Sequence, residues 1–454
     1  MLVTFAIGVS VGVSAGTRGS NDIDGNVSDK PHQTEFDSRT MEDWKQVGGG
    51  DYSRIRQKVH KGFDKTVSFS RNGNRMVVVA VGIADVNDPQ KVNLRGRVHI
   101  YKNENNDNGG SYTEMKTNIY LTEFGQDAPD NNRINDCAIS GNGQVVVAVD
   151  SGMRVAFTGH GNRPLGFAST YSYNPIPGAT STDWPQLGVS FSDATFIPTL
   201  VAIDFEGNTV ALGSSLNNQV RVRRYDVGNG NWQPLGQVIF EPVANEGFGS
   251  AVSLSDNGRY LAVTAPQAPN AAGTAVAAGR AIVYEWDGAN SWVTRGQALH
   301  GVNTNDRLAE VDLSGDGNTV AIGSGKHDNR AGHVRVYGWN DVQESWVQLG
   351  QDIDGEANGD SSGSRLELTR DGRVIAVAAS NNQSGQGHVR VYWYDGSRWI
   401  QDGPDIDGRY NNDSFGASVS ISGDGSTLAI DAIQYLDAAT TVNEIVVEQG
   451  YVET

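Results

Sequence analysis

Two acidic strings offer the most chemistry in this chain. They are Asp352-Ile-Asp354-Gly-Glu356-Ala-Asn-Gly-Asp360 and Asp405-Ile-Asp407-Gly-Arg-Tyr-Asn-Asn-Asp413. Carboxylates at alternating positions can present several hard oxygens to Ca2+. Gly falls too early for an EF-hand loop, so the plainer reading is a pair of solvated acidic loops. Asp352, Asp354, Glu356, Asp360, Asp405, Asp407 and Asp413 are the candidate ligand-binding residues. Asp352, Asp354, Asp405 and Asp407 are also the candidate metal donors. His333 and His388 both stand in Gly-His-Val-Arg-Val-Tyr, and that repeated identity points to packing. The chain lacks a His-Glu-x-x-His pair and a phosphate-cradling glycine loop, and no catalytic residue is nominated.

The elements that must hold these strings repeat. Trp292, Trp346 and Trp399 each open a unit of roughly fifty residues that aligns with the next almost without gaps. Each unit turns on a short dipeptide: Asn72-Gly73, Asn142-Gly143, Glu206-Gly207, Asn257-Gly258, Asp316-Gly317, Asp371-Gly372 and Asp424-Gly425. Asn-Gly and Asp-Gly tolerate the positive φ of a two-residue hairpin. A short alternating strand precedes each turn and an apolar run such as Ile375-Ala-Val-Ala follows it. A Val-Arg-Val-Tyr strand and a Trp-x-Gln-x-Gly strand complete the unit. Four short antiparallel strands repeated around an axis describe an all-β propeller of seven blades. The strand at Trp44-Lys-Gln-Val-Gly is expected to complete the last blade and close the ring, leaving no free sheet edge. Residues 44–454 then form the propeller and residues 16–43 a linker. Pro198 should shorten the first strand of the third unit.

Totals narrow the function classes. With 35 basic and 53 acidic residues the formal charge is −18. That argues against phosphate-backbone binding, which needs clustered Lys and Arg. The single cysteine, Cys137, excludes an internal disulfide and a cysteine zinc site. Residues 1–15 are apolar and uncharged, too short to span a bilayer, and Val13-Ser14-Ala15 fits a small-x-small cleavage rule. They are read as a signal peptide or anchor remnant, with a secreted or cell-surface location following. No other segment is long enough to cross a membrane.

The recurring Trp-x-Gln-x-Gly, Phe-Gly-x-x-Val-x-Leu-Ser and Gly-x-Val-Arg-Val-Tyr elements resemble the FG-GAP-like repeats of integrin α-chain propellers. Phe248-Gly249 and Phe415-Gly416 carry the Phe-Gly element. The resemblance implies extracellular recognition or cell adhesion, often with calcium held in Asp-x-Asp-x-Asp-Gly-x-x-Asp turns. The nearest match is Asp312-Leu-Ser-Gly-Asp316-Gly317, which adds Asp312 and Asp316 to the weak metal donors. Ser314 is a poor second ligand there, and Val320 stands where the last Asp belongs.

In a meander the long second-to-third and fourth-to-first connections share one face. Here they are 82–95, 121–133, 265–279, 351–363 and 404–413. Long loops on a rigid scaffold are where binding concentrates. The expected function is a non-catalytic module that binds a protein or glycan through that face. The alternative is an extracellular propeller hydrolase or lyase using carboxylates at the central channel. No cofactor is firmly indicated, and Ca2+ is the one the acidic strings suggest.

Overall fold

A computed structural model describes residues 67–85, 88–103, 112–120, 134–150, 167–173, 184–192 and 195–435, save 242, 244, 409–410 and 413, together with strands at 10–14, 44–46 and 448–453. The described residues form an all-β propeller. Six sheets are four-stranded meanders built from consecutive strands. The fifth consists of Glu310–Leu313, Thr319–Ser324, His333–Asn340 and Ser345–Gln348. The sixth consists of Arg365–Leu368, Val374–Ala379, His388–Tyr394 and Trp399–Gln401. In each of these two a two-residue strand, Ile353–Asp354 or Ile406–Asp407, extends the outer edge by pairing with the start of the third strand. Among the described residues no helix is long and apolar enough to cross a membrane.

The expectation of seven equivalent blades is corrected. Six blades are complete, and the last sheet is composite. Among the described residues, its Ser418–Ile421 and Thr427–Tyr435 strands are followed by no Val-Arg-Val-Tyr strand and no Trp-x-Gln strand. Glu448–Glu453 and Ser10–Ser14 instead share the outer edge of Thr427–Tyr435. Trp44–Gln46 joins this sheet only through Ser10–Ser14 and does not pair with Thr427–Tyr435 itself, so closure by that strand directly against the last blade is not shown. Apart from Ser10–Ser14, the segments read as leader and linker lie outside the described residues. The loop expected at 82–95 is also corrected: Arg75–Asp85 and Asp88–Asn103 make it a long bulged hairpin. Residues 121–133 lie outside the described set. The third sheet starts at Leu200, just after Pro198, as the missing ladder donor requires.

The tryptophans staple neighbouring blades. The indole of Trp346 donates to Arg295 O at 2.9 Å, and that of Trp399 to Leu349 O at 2.9 Å. Gln297 accepts from Trp346 N–H at 2.9 Å and donates back to Trp346 O at 2.6 Å. Gln237 and Gln351 do the same for Trp292 and Trp399. At these three junctions one Trp and one Gln therefore bury an aromatic ring and satisfy three backbone groups.

Candidate functional site: two equivalent clusters on the long-loop face

The hairpin turns form one end of the ring. In six of them a Ser or Thr hydroxyl donates to the Asx carboxyl or amide oxygen two residues on, as Ser314 does to Asp316 at 2.6 Å. Backbone hydrogen bonds then link turn to turn in a closed circle. They run from Asn72 to Gly141, from Asn142 to Phe205, and on through Asp256, Gly315, Arg370 and Gly423 back to Arg71. The residues in these linking positions meet around the axis. Asp256 pairs with Arg71 at 3.3 Å and with Arg370, and the Arg370 guanidinium lies 4.6 Å from the Phe205 ring centre. Gly141 and Gly315 make room: a Cβ on Gly141 would strike the Phe205 ring, and one on Gly315 the Asp256 carboxylate. This end of the axis is filled.

Asp312 and Asp316 do not converge on a cation. Asp316 is held by its own turn, accepting from Ser314 Oγ and Asn318 N–H. Asp312 accepts from Ser253 Oγ at 2.6 Å in the preceding blade and from Leu368 N–H at 2.8 Å in the next. The inner strands are edge strands with unpaired backbone groups, and neighbouring side chains satisfy them. Asp136 serves Val201 N–H in the same way, and Ser420 serves Phe69 N–H. Asp316 is thus engaged within its own turn and Asp312 between blades.

The opposite end carries two clusters at equivalent repeat positions. In the fifth blade His333 faces Asp354 across the register, and its Nδ1 lies 3.7 Å from Asp352 Oδ2. Arg335 Nε is 3.5 Å from the same oxygen. The His333 ring stacks on His327 at 3.8 Å between centres, and His327 Nδ1 sits 3.0 Å from Asp306 Oδ2. In the sixth blade His388 Nδ1 lies 3.6 Å from Asp405 Oδ2. There Arg390 donates twice to Asp405, at 2.9 and 3.0 Å, and also pairs with Glu356 from the preceding blade's loop. The potential donor atoms of His333, Asp352 and Asp354, and of Glu356, His388 and Asp405, each lie within 4.8 Å of one another.

Charge is distributed differently in the two. Burial, then Arg335 and His327, push the His333 imidazole down to about 3, so it is neutral at ordinary pH. Burial, then Asp352, raises the Asp354 carboxyl. Burial opposes the charge on Arg390, but hydrogen bonds and charge interactions with Asp405 and Tyr392 together outweigh it and raise its pKa. Burial likewise disfavours the Asp405 carboxylate, and hydrogen bonds from Arg390 and Gln401 lower it on balance.

The structure thus brings together Asp352 and Asp354, and separately Glu356 and Asp405. Asp407 pairs in register with His388 but belongs to neither donor group. Asp360 is buried, and its carboxylate accepts from Ala357 N–H at 2.8 Å, which makes it a loop brace. Asp413 lies outside the described residues. Sequence reasoning missed Asp306, His327 and the two arginines as parts of the clusters. The repeated His-Val-Arg was the signal available, since it places one cationic and one imidazole side chain on the same face of a strand.

No family model matches this chain, and no curated protein matches it. Solved structures do. A 6-phosphogluconolactonase of Bacteroides uniformis aligns over 84% of this chain and 99% of its own, with a TM-score of 0.52 and 13% identity. A periplasmic gluconolactonase of Pseudomonas aeruginosa covers 88% and 96%, with a TM-score of 0.51 and 13% identity. A 6-phosphogluconolactonase of Bacteroides fragilis covers 85% and 97%, with a TM-score of 0.50 and 13% identity. At that identity the likeness establishes the propeller fold and nothing finer.

Proposed function

We propose that this protein is an FG-GAP-like recognition propeller, secreted or surface-held, that takes a protein or glycan through its long-loop face. The observation that carries the reading is the filled axis at the turn end. Arg71, Phe205, Asp256 and Arg370 occupy it, while the polar clusters stand with the long loops. The repeat motifs support the family assignment. The test is a glycan array probed with the intact chain and two charge variants. Glu356→Lys alters the loop face and Asn142→Lys the turn face. Loss of glycan signal in the first and retention in the second is expected. Loss in the turn-face variant, or no glycan bound by the parent chain, counts against it.

A second reading, a lactone-opening hydrolase, has two supports. The solved propellers of similar fold are described as lactonases, and the comparisons sit better with this reading than with adhesion. Asp354 also combines a raised pKa with a neutral imidazole beside it, the parts of an acid–base pair. Inner-strand carboxylates are less suited: Asp136 and Asp312 hold backbone groups and Glu310 pairs with Arg365. Acid release from gluconolactone, abolished in Asp354→Asn, would establish this reading. A rate equal to the buffer blank would remove it.

A further inference from the structure

We propose that His333, Asp352 and Asp354 form a binding site for a divalent first-row transition-metal ion of the Zn2+ class. Three donor groups of suitable type come within 4.8 Å of one another. His333 is 3% exposed, and its Nδ1 has no hydrogen-bond partner although it is buried and aimed at the two aspartates. A buried imidazole nitrogen left unpartnered is costly, and a metal ion would satisfy it. The donor set is one nitrogen and two carboxylates. That mixture suits Zn2+ and its first-row neighbours, whereas Ca2+ prefers oxygen alone. Three protein ligands leave room for water on the ion.

The groups around the site set the terms. Arg335 stands on one flank, 3.5 Å from Asp352 Oδ2, and its Nη2 lies 3.4 Å from His333 Nε2. A metal on Nδ1 places the imidazole proton on Nε2, so Arg335 must swing away for the ion to bind. Its Nε has no hydrogen-bond partner, and its remaining tie is a 3.3 Å contact with Tyr337 Oη. His327 covers the His333 ring, with its own Nδ1 toward Asp306. In the sister group of the sixth blade His388 Nδ1 is also without a hydrogen-bond partner, but its carboxylates are already engaged. Arg390 is bonded to both Asp405 and Glu356, and its guanidinium already supplies the positive charge. The site stands whether or not the loop face is the recognition surface.

The test is calorimetric titration of the chelator-stripped intact chain with ZnCl2, with CaCl2 as comparison and Co2+ absorption as a check on nitrogen ligation. One Zn2+ per chain is expected, bound more tightly than Ca2+. Removing the exposed ligand in Asp354→Asn should weaken Zn2+ by about tenfold or more, and it leaves the buried His333 in place so that the fold is kept. Removing the competing cation in Arg335→Met should tighten it. Glu356→Gln, in the sister group, should change nothing. Absence of stoichiometric Zn2+ binding, or binding indifferent to Asp354→Asn, overturns the proposal.

Discussion

Arg335 and Arg390 occupy the same place in neighbouring blades and meet different company. Arg390 is clamped between Asp405 of its own blade and Glu356 of the preceding loop. Among the described residues Arg335 makes one ion pair, with Asp352 at 3.5 Å. The repeat alignment shows why. Val302 stands in the unit before Arg335 where Glu356 stands in the unit before Arg390, and Val302 is half exposed with nothing to offer a guanidinium. An unpartnered imidazole Nδ1 stands in both clusters, and one loop position separates the cluster whose arginine is doubly paired from the one whose arginine has a single long pair. Repetition conserves the scaffold of the site, and the loop between blades decides its charge.

The largest break in this comparison is removal of the clamped cation. Arg390 is 6% exposed, and Arg390→Met leaves Asp405 facing Glu356 with no counter-charge. We expect a loss of about 2–3 kcal/mol in urea unfolding, less than for a fully buried pair because Glu356 is 54% exposed. Arg335→Met should cost about 1 kcal/mol or less, since its one ion pair is long and partly solvated. Equal losses in the two variants would mean that the clamp seen on Arg390 contributes nothing.

Much of this scaffold is legible in the sequence. The Asn-Gly and Asp-Gly turns, the strands beside them and the buried tryptophans all occur at repeated positions, and local chemistry alone places them. The parts that are not legible depend on partners far away in sequence. Asp312 reads as a metal ligand by spacing, yet the group it serves is Leu368 N–H, 56 residues on. The repeat pattern finds Trp44–Gln46 by its fourth-strand motif, whereas nothing in that pattern announces Ser10–Ser14, which stands between it and Thr427–Tyr435. The segment 82–95 carries Gly82, Pro89 and several Asp and Asn residues, and these loop signals lose to a hairpin that tolerates bulges. His333 and His388 read as packing residues. Both are buried, but each also has acidic neighbours that only the folded register brings to it.

Acid should separate the clusters further. Burial, then Arg390, lowers the His388 pKa, against a smaller opposing pull from Asp405, Glu356 and Asp407. The folded chain therefore keeps His388 neutral at a pH where the unfolded chain has taken up a proton. The stability this represents is complete above the ordinary imidazole value near 6.5 and drains away as pH falls below it. His388→Asn should flatten the fall in melting temperature between about pH 7 and about pH 5. An unchanged slope would show that His388 is as free to protonate in the fold as in the unfolded chain.

The smallest effect is the most discriminating. Val302→Glu places a carboxylate at the position that Glu356 holds beside Arg390. If the loop position governs the cluster, the introduced carboxylate closes a clamp on Arg335 together with Asp352, like its neighbour's. The gain in stability should be only about 0.5 kcal/mol, because the pair is formed at the surface and orders two long side chains. The reciprocal change, Glu356→Val, should lose about as much. The informative readout is the one these small energies leave behind. In Val302→Glu a clamp of the kind that holds Arg390 on Asp405 and Glu356 would keep the Arg335 guanidinium on Asp352, so Zn2+ affinity should fall, opposite to the change in Arg335→Met. If stability moves and Zn2+ affinity does not, Arg335 is no gate to the His333 cluster, and the difference between the two blades lies in His327 and Asp306 instead.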